Sequence, residues 1–187
     1  MLDALKTYAK EHDIPIISDE GLDYVLALIT KRRVKHVLEI GSAIGYSAIA
    51  MASLGVYVDT IERDHTMLEQ AKKNIALYDA SNHIHLIAAD ALTYKVPQRR
   101  YDLIFIDAAK SQYMRLFEKY QACLTDKGII VCDNLYFHHL DVNIVTNRHT
   151  KGLLRRLETF RQFLINHQTF KTEFIALGDG LSVSQRI

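Results

Sequence analysis

The chain has 187 residues, of which 49% are apolar and 24% charged, and its formal net charge is +1. This length favours a single domain over residues 1–187, and this composition suits a globule that buries a sizeable core. Disorder, collagen and disulfide scaffolds are excluded, no apolar run nears the roughly 18 residues of a membrane span, and any nucleic-acid contact is left to a local patch.

The opening segment, MLDALKTYAK, is broken by Asp3, Lys6 and Lys10, which does not suit a signal peptide. Cys123 and Cys132 lie in apolar stretches without zinc-type spacing, so they read as free thiols of a cytoplasmic protein. Leu22, Val25, Leu26 and Ile29 follow helical spacing, with Asp19 as the expected N-cap and Glu20 in the first turn. Residues 34–40 read as a buried strand. The loop Gly41-Ser42-Ala43-Ile44-Gly45 and an Ala-rich helix over about 46–54 follow it.

A second strand, 56–61, ends at Glu62, and the next helix carries Leu68, Ala71, Ile75 and Tyr78 on one stripe. Strands over 84–88 and 103–106 run into Asp90 and Asp107. A helix with Tyr113, Leu116, Phe117, Tyr120 and Leu124 leads to a fifth strand, 129–132, and then to Asp133-Asn134. Residues 170–177 and 181–185 flank Gly178-Asp179-Gly180, which predicts an antiparallel hairpin. Strands alternating with helices predict a doubly wound, mostly parallel α/β sheet with helices on both faces.

The acids carry the functional signal. Glu39, Glu62, Asp90, Asp107 and Asp133 fall at or just beyond the carboxyl ends of five successive strands, where open α/β sheets bind ligands. Capping of a following helix accounts for one such residue, and for five together poorly. Five carboxylates in one cleft would repel one another unless a cation sits among them. Asp107, Asp133 and Asn134 offer only oxygen, which argues for Mg²⁺ or Ca²⁺ over zinc. His138-His139 is a poor zinc pair, because neighbouring side chains diverge.

Glu62 stands 21 positions after Gly41, the layout in which an acid binds ribose hydroxyls. Ala43 occupies the position where a dinucleotide fingerprint needs glycine, so an adenosine ligand without a pyrophosphate fits better than NAD, and a dehydrogenase is disfavoured. Arg148, Lys151 and Arg155 share a stripe if their helix begins near Arg148, and Arg156 and Arg161 lie nearby. With Tyr136, Phe137, His138 and His139 just before them, they form either an RNA-binding patch or a solvated helix face.

Glu39-Ile-Gly-Ser-Ala-Ile-Gly-Tyr-Ser47, Thr60-Ile-Glu-Arg-Asp64, Phe105-Ile-Asp-Ala-Ala-Lys-Ser-Gln-Tyr113, Val131-Cys-Asp-Asn134 and Gly178-Asp-Gly-Leu181 together resemble the metal-dependent, catechol-type class I O-methyltransferases. Within that family the resemblance is greatest to the bacterial branch that methylates 5-hydroxyuridine in tRNA. It covers nearly the whole chain from about Ile14, and it implies a seven-stranded Rossmann-like sheet whose last strand is antiparallel.

The resemblance further implies that S-adenosylmethionine is held by Glu62 at the ribose, Asp90 and Ala91 at the adenine, and Ser47 and Ile17 at the methionine end. Glu39 and Gly41 would shape the loop beneath it, and Asp107 would border both cofactor and metal. Asp107, Asp133 and Asn134 would hold Mg²⁺, and Lys110, beside the acceptor hydroxyl, would take its proton. A lysine at a helix start opposes the helix dipole, which favours a functional role for Lys110.

The implied acceptor is 5-hydroxyuridine of the tRNA anticodon loop, giving 5-methoxyuridine, with Arg148, Lys151, Arg155 and Arg156 on the RNA backbone. A small catechol-like phenol is the alternative, and a non-catalytic adenosine- or RNA-binding module is the alternative of another class. Relatives carry a longer N-terminal region that covers the cofactor and forms a homodimer. Only about a dozen residues precede Ile14 here, which weakens both expectations. Ile17-Ser18-Asp19 also stands where relatives often have Met-Glu-Pro.

Overall fold

The computed structural model describes residues 2–79, 81–135 and 147–187, without the side chains of Arg148 and His149. The expected stacking residues Tyr136, Phe137, His138 and His139 lie outside the described residues. Two helices open the chain, α1 (Leu2–Glu11) and α2 (Asp19–Arg32). Then come β1 (His36–Ile40), α3 (Tyr46–Ala52), β2 (Tyr57–Glu62), α4 (His65–Tyr78), β3 (Ile84–Ala88) and β4 (Tyr101–Ile106). A 3₁₀ turn (Lys110–Gln112) runs into α5 (Tyr113–Tyr120), followed by β5 (Leu124–Cys132), α6 (Arg148–Ile165), β6 (Phe170–Ile175) and β7 (Leu181–Arg186).

The strands form one seven-stranded sheet in the order β3-β2-β1-β4-β5-β7-β6. The first five are parallel, whereas β7 runs antiparallel to both β5 and β6. This is the Rossmann-like α/β fold that the alternating pattern predicts, with the hairpin at its edge. The chain steps outward from β1 to β3 and then returns to lay β4 beside β1, so the strand order reverses between β1 and β4. A crevice opens there at the strands' carboxyl ends. Among the described residues, no helix is long and apolar enough to cross a membrane.

Alternation within the strands divides the core in two. Val37, Leu103 and Phe105 face a cluster with Leu5, Ile17, Val25, Ile29 and Ile49, on the side of α1, α2 and α3. Leu38, Ile104 and Ile106 face the opposite cluster, where Phe117 meets the rings of Phe160, Phe163 and Phe170 edge-on. Burying each such phenylalanine is worth roughly 2–3 kcal/mol.

Three local expectations change. Ser18, not Asp19, caps α2: its Oγ accepts the N–H of Gly21, and Asp19 is the first helical residue. Leu124, placed on a helical stripe by its spacing from Tyr120, instead begins β5 and pairs with Tyr101 of β4. Pairing with a buried strand overrides a spacing that fits either element. Helix α1 was not anticipated, yet it buries Leu5 and Ala9 against the first cluster.

Gly41 leaves β1 with φ +97°, and a methyl group on it would lie 2.0 Å from the carbonyl oxygen of Asp107. Only glycine permits that approach. Gly41→Ala is expected to cost more than about 2 kcal/mol, from the left-handed backbone and the overlap together, as a shift of the urea unfolding midpoint. A midpoint within error of the wild type would contradict this account of the crevice.

Candidate active site

A cavity of about 490 Å³ fills the crevice. Its floor is the loop of Gly41, Ser42 and Ala43 with the start of α3, and its far wall is the segment from Ala89 to Leu92. Pro15, Ile16 and Ile17 close one end, and Asp107, Lys110, Asn134 and Asp179 close the other.

Glu62, at the end of β2, is held by three backbone donors. Its Oε1 accepts the N–H of Arg63 and of Asp64, both at 2.8 Å, and its Oε2 accepts that of Ala43 at 3.0 Å. The last bond pins Ala43, which adopts φ +43°, a conformation that glycine would reach more easily. On the far wall, the Asp90 carboxylate accepts the Leu92 N–H and pairs with Arg63 at 3.0 Å. Those bonds, the backbone one foremost, hold its pKa below the ordinary carboxylate value.

Glu39 is fully buried and does not reach the cavity wall. Ser47 Oγ and Thr60 Oγ1 donate to its two oxygens, so it meets the cavity only through Ser47, which does line it. Burial pushes its pKa up to about 7, against the pull of those two hydroxyls. The expectation of five acids in one cleft therefore narrows: Glu62, Asp90 and Asp107 line the cavity, while Glu39 lies beneath the loop and Asp133 behind Asn134. Each is met by neighbouring donors, Glu39 by Ser47 and Thr60 and Asp133 by Asn134.

Asp107, Asp133 and Asn134 do come together. Asn134 Nδ2 lies 2.9 Å from Asp133 Oδ2 and 3.5 Å from Asp107 Oδ1, and the Asp133 carboxylate also accepts the Asn134 N–H. Burial is the first cause that raises both acids, to about 6 for Asp107 and about 7 for Asp133, and each is raised further by nearby carboxylates. The charge of Lys110 offsets only part of that rise. With the Asn134 amide turned over to present Oδ1 in place of Nδ2, the donor set is three hard oxygens, which fits a hard divalent cation. Among the described residues, no group of three or more His, Cys, Asp or Glu side chains has metal-binding geometry. A cation here would rest on two carboxylates and one amide, with water or substrate completing its shell, as Mg²⁺ allows.

Lys110 and Gln112, in the 3₁₀ turn after β4, line the same end. Asp179 is the residue that sequence reasoning missed. The hairpin turn carries it into the cavity, and its charge adds to the upward push on Asp107 and Asp133. Its signal was the Gly-Asp-Gly turn, read for its backbone alone. Gly178 packs so tightly on Ser18 that a methyl group would lie 1.9 Å from Ser18 Oγ, and Gly180 O accepts the Leu135 N–H. The turn is thereby fixed beside Asn134.

Helix α6 begins at Arg148, as the shared stripe requires, and packs against the Lys110–Gln112 turn. Arg155 and Arg156 are exposed and Lys151 half-buried, and none of the three lines the cavity. Arg161 leaves the patch: its guanidinium lies 4.7 Å above the Phe174 ring.

The Glu39 shift sets a pH test. Its folded pKa lies above that of an unfolded glutamate, so the folded state holds the extra proton and stability falls as pH rises from about 4 to 7. Glu39→Gln is expected to lose less melting temperature than the wild type between pH 5 and pH 8. Parallel melting curves across that window would contradict the buried, proton-holding carboxyl.

Residues 2–187 match the O-methyltransferase family. The fold superposes on a putative caffeoyl-CoA O-methyltransferase from Staphylococcus aureus with a TM-score of 0.95 and 35% identity, covering 100% of this chain and 92% of that one. The caffeoyl-CoA O-methyltransferase of Populus kitakamiensis is 26% identical over 195 residues, 97% of this chain and 82% of that protein. The O-methyltransferase ankF of Aspergillus thermomutatus is 34% identical over 115 residues, and this match spans only 48% of that protein. The chain belongs to the O-methyltransferase family and is an S-adenosylmethionine-dependent O-methyltransferase.

Proposed function

We propose that this O-methyltransferase works with Mg²⁺ and methylates 5-hydroxyuridine of the tRNA anticodon loop. The observation that carries the metal reading is the meeting of Asp107, Asp133 and Asn134, two mutually repelling carboxylates and an amide, where Asp107 and Asn134 close one end of the cavity and Asp133 backs them. Those three residues would hold the ion, and a bound divalent cation favours the ionised form of a nearby hydroxyl.

S-adenosylmethionine supplies the methyl group. Glu62 would take the ribose hydroxyls, Asp90 and Ala91 the adenine, and Ser47, Gly41 and Ile17 the amino-acid end, with Glu39 steadying Ser47 from below. The methyl group would then lie toward Asp107 and Lys110. Lys110 Nζ, in its unprotonated form, would take the proton of the acceptor hydroxyl while that oxygen bonds the methyl carbon. The carbon–sulfur bond would break and S-adenosylhomocysteine leave, and the cavity walls would hold the two reactants in line. Asp179, on the same end, offers an acceptor to a second donor group of the substrate.

The RNA acceptor is favoured by α6, which packs on the turn that bears Lys110 and exposes Arg155 and Arg156, with Lys151 on the same helix. A phosphate backbone crossing that helix would bring a splayed base to the cavity mouth. The second reading, a small catechol-like phenol, is favoured by the caffeoyl-CoA enzymes among the relatives.

The deciding experiment incubates the protein with labelled S-adenosylmethionine and Mg²⁺ against undermodified tRNA and a panel of vicinal diols. Label in 5-methoxyuridine, lost steeply between 50 and about 200 mM salt and weakened in the Arg155→Ala/Arg156→Ala double variant, supports the RNA reading. Label in diols alone, indifferent to salt, transfers the assignment to the second reading, and turnover that survives EDTA removes the metal. Lys110→Ala is expected to lower kcat by about 10²–10⁴-fold while S-adenosylhomocysteine affinity by calorimetry stays within about twofold. An equal loss of both would count against proton transfer.

A further inference from the structure

The far wall of the cavity is built in an unusual way. Residues 90–94 make a single turn: Asp90 O accepts the N–H of Thr93 at 3.0 Å and of Tyr94 at 2.8 Å, and the Asp90 carboxylate accepts that of Leu92 at 2.8 Å. A turn this short does not continue into a helix, so its later carbonyls need partners from elsewhere. One ammonium supplies them. Lys119 Nζ donates to Ala91 O and Leu92 O, each at 2.8 Å, and to Tyr94 O at 2.5 Å. The adjacent Tyr120 hydroxyl adds a second bond to Ala91 O, also at 2.8 Å.

An ammonium carries three protons, and all three are accounted for on this loop. Both donors sit at the C-terminal end of α5, whose Leu116 lines the cavity itself. A lysine on a solvated face would spend its donors on water. This one is spent on the segment that supplies Asp90, Ala91 and Leu92 to the wall.

We infer that Lys119, with Tyr120, is a positioning residue for the nucleobase end of the cavity. Drawing the carbonyls of residues 91, 92 and 94 toward α5 fixes the edge that the loop offers to a base. That edge, with the Asp90 carboxylate as acceptor, suits the exocyclic amino group of adenine over the oxo group of hypoxanthine. The inference rests on the reading above that adenosine lies against Asp90 and Ala91, and it adds how this chain selects the base.

The test titrates wild type, Lys119→Met and Tyr120→Phe with S-adenosylhomocysteine and with S-inosylhomocysteine by calorimetry, alongside thermal unfolding. Lys119→Met is expected to weaken S-adenosylhomocysteine about tenfold and Tyr120→Phe about threefold. The inosyl ligand should weaken less in both, so that the preference for adenine shrinks. A merely structural role would weaken both ligands equally, and that result, or no weakening, overturns the inference. If Lys119→Met does not fold, the same ratio in Tyr120→Phe decides. A wild type that binds no S-adenosylhomocysteine overturns the adenosine reading and the clamp together, whereas an unchanged ratio in a wild type that binds overturns the clamp alone.

Discussion

Two strands touch where they leave the sheet, and the site is arranged around that contact. Gly41, at the end of β1, approaches the Asp107 carbonyl, at the end of β4, closely enough to exclude any side chain. The approach brings the loop of Gly41 to Ala43 against the wall that begins with Asp107. A cofactor lying on that loop is then adjacent to whatever Asp107 holds. Chain reversal between β1 and β4 opens the crevice, and the contact sets how narrow it is at its base.

Negative charge is the second organising quantity. Glu39 and Asp133 are buried and Asp107 is half-buried, and desolvation is the largest cause of the upward shift in each. The remedies differ. Glu39 is met by two hydroxyls and linked to the cavity through Ser47, which suits a support beneath a ligand. Asp107 and Asp133 meet each other and an amide, Lys110 offsets part of their rise, and Asp179 adds a further negative charge, which suits a site that gains by taking up a cation. The half-buried acids of the cavity wall, Glu62 and Asp90, are instead tied to backbone N–H groups and arginine, so their oxygens keep fixed directions.

The segment from Asp107 to Tyr120 joins the two ends of the cavity. It starts at the acidic pair, passes through Lys110 and Gln112, contributes Leu116 to the wall, and finishes with the lysine that holds the far loop. Aromatic packing backs it, where Tyr113 and Phe117 meet Phe160 of α6. The exposed arginines of α6 are therefore mechanically close to the turn that bears Lys110.

The alternating apolar runs alone determined that strands and helices would interleave, because a strand buried on both faces must be apolar throughout and the helices beside it must show one stripe. They also placed the acids at the carboxyl ends and the Gly-Asp-Gly turn in an antiparallel hairpin, since both depend on local order along the chain. Tertiary structure decided the rest. Only packing shows that Glu39 and Asp133 stand behind the wall while Asp179, on a distant turn, stands in it. Leu124 left its helical stripe for the same reason that Lys119 found three carbonyls: the deciding partner was far away in sequence, and no local spacing encodes such a partner.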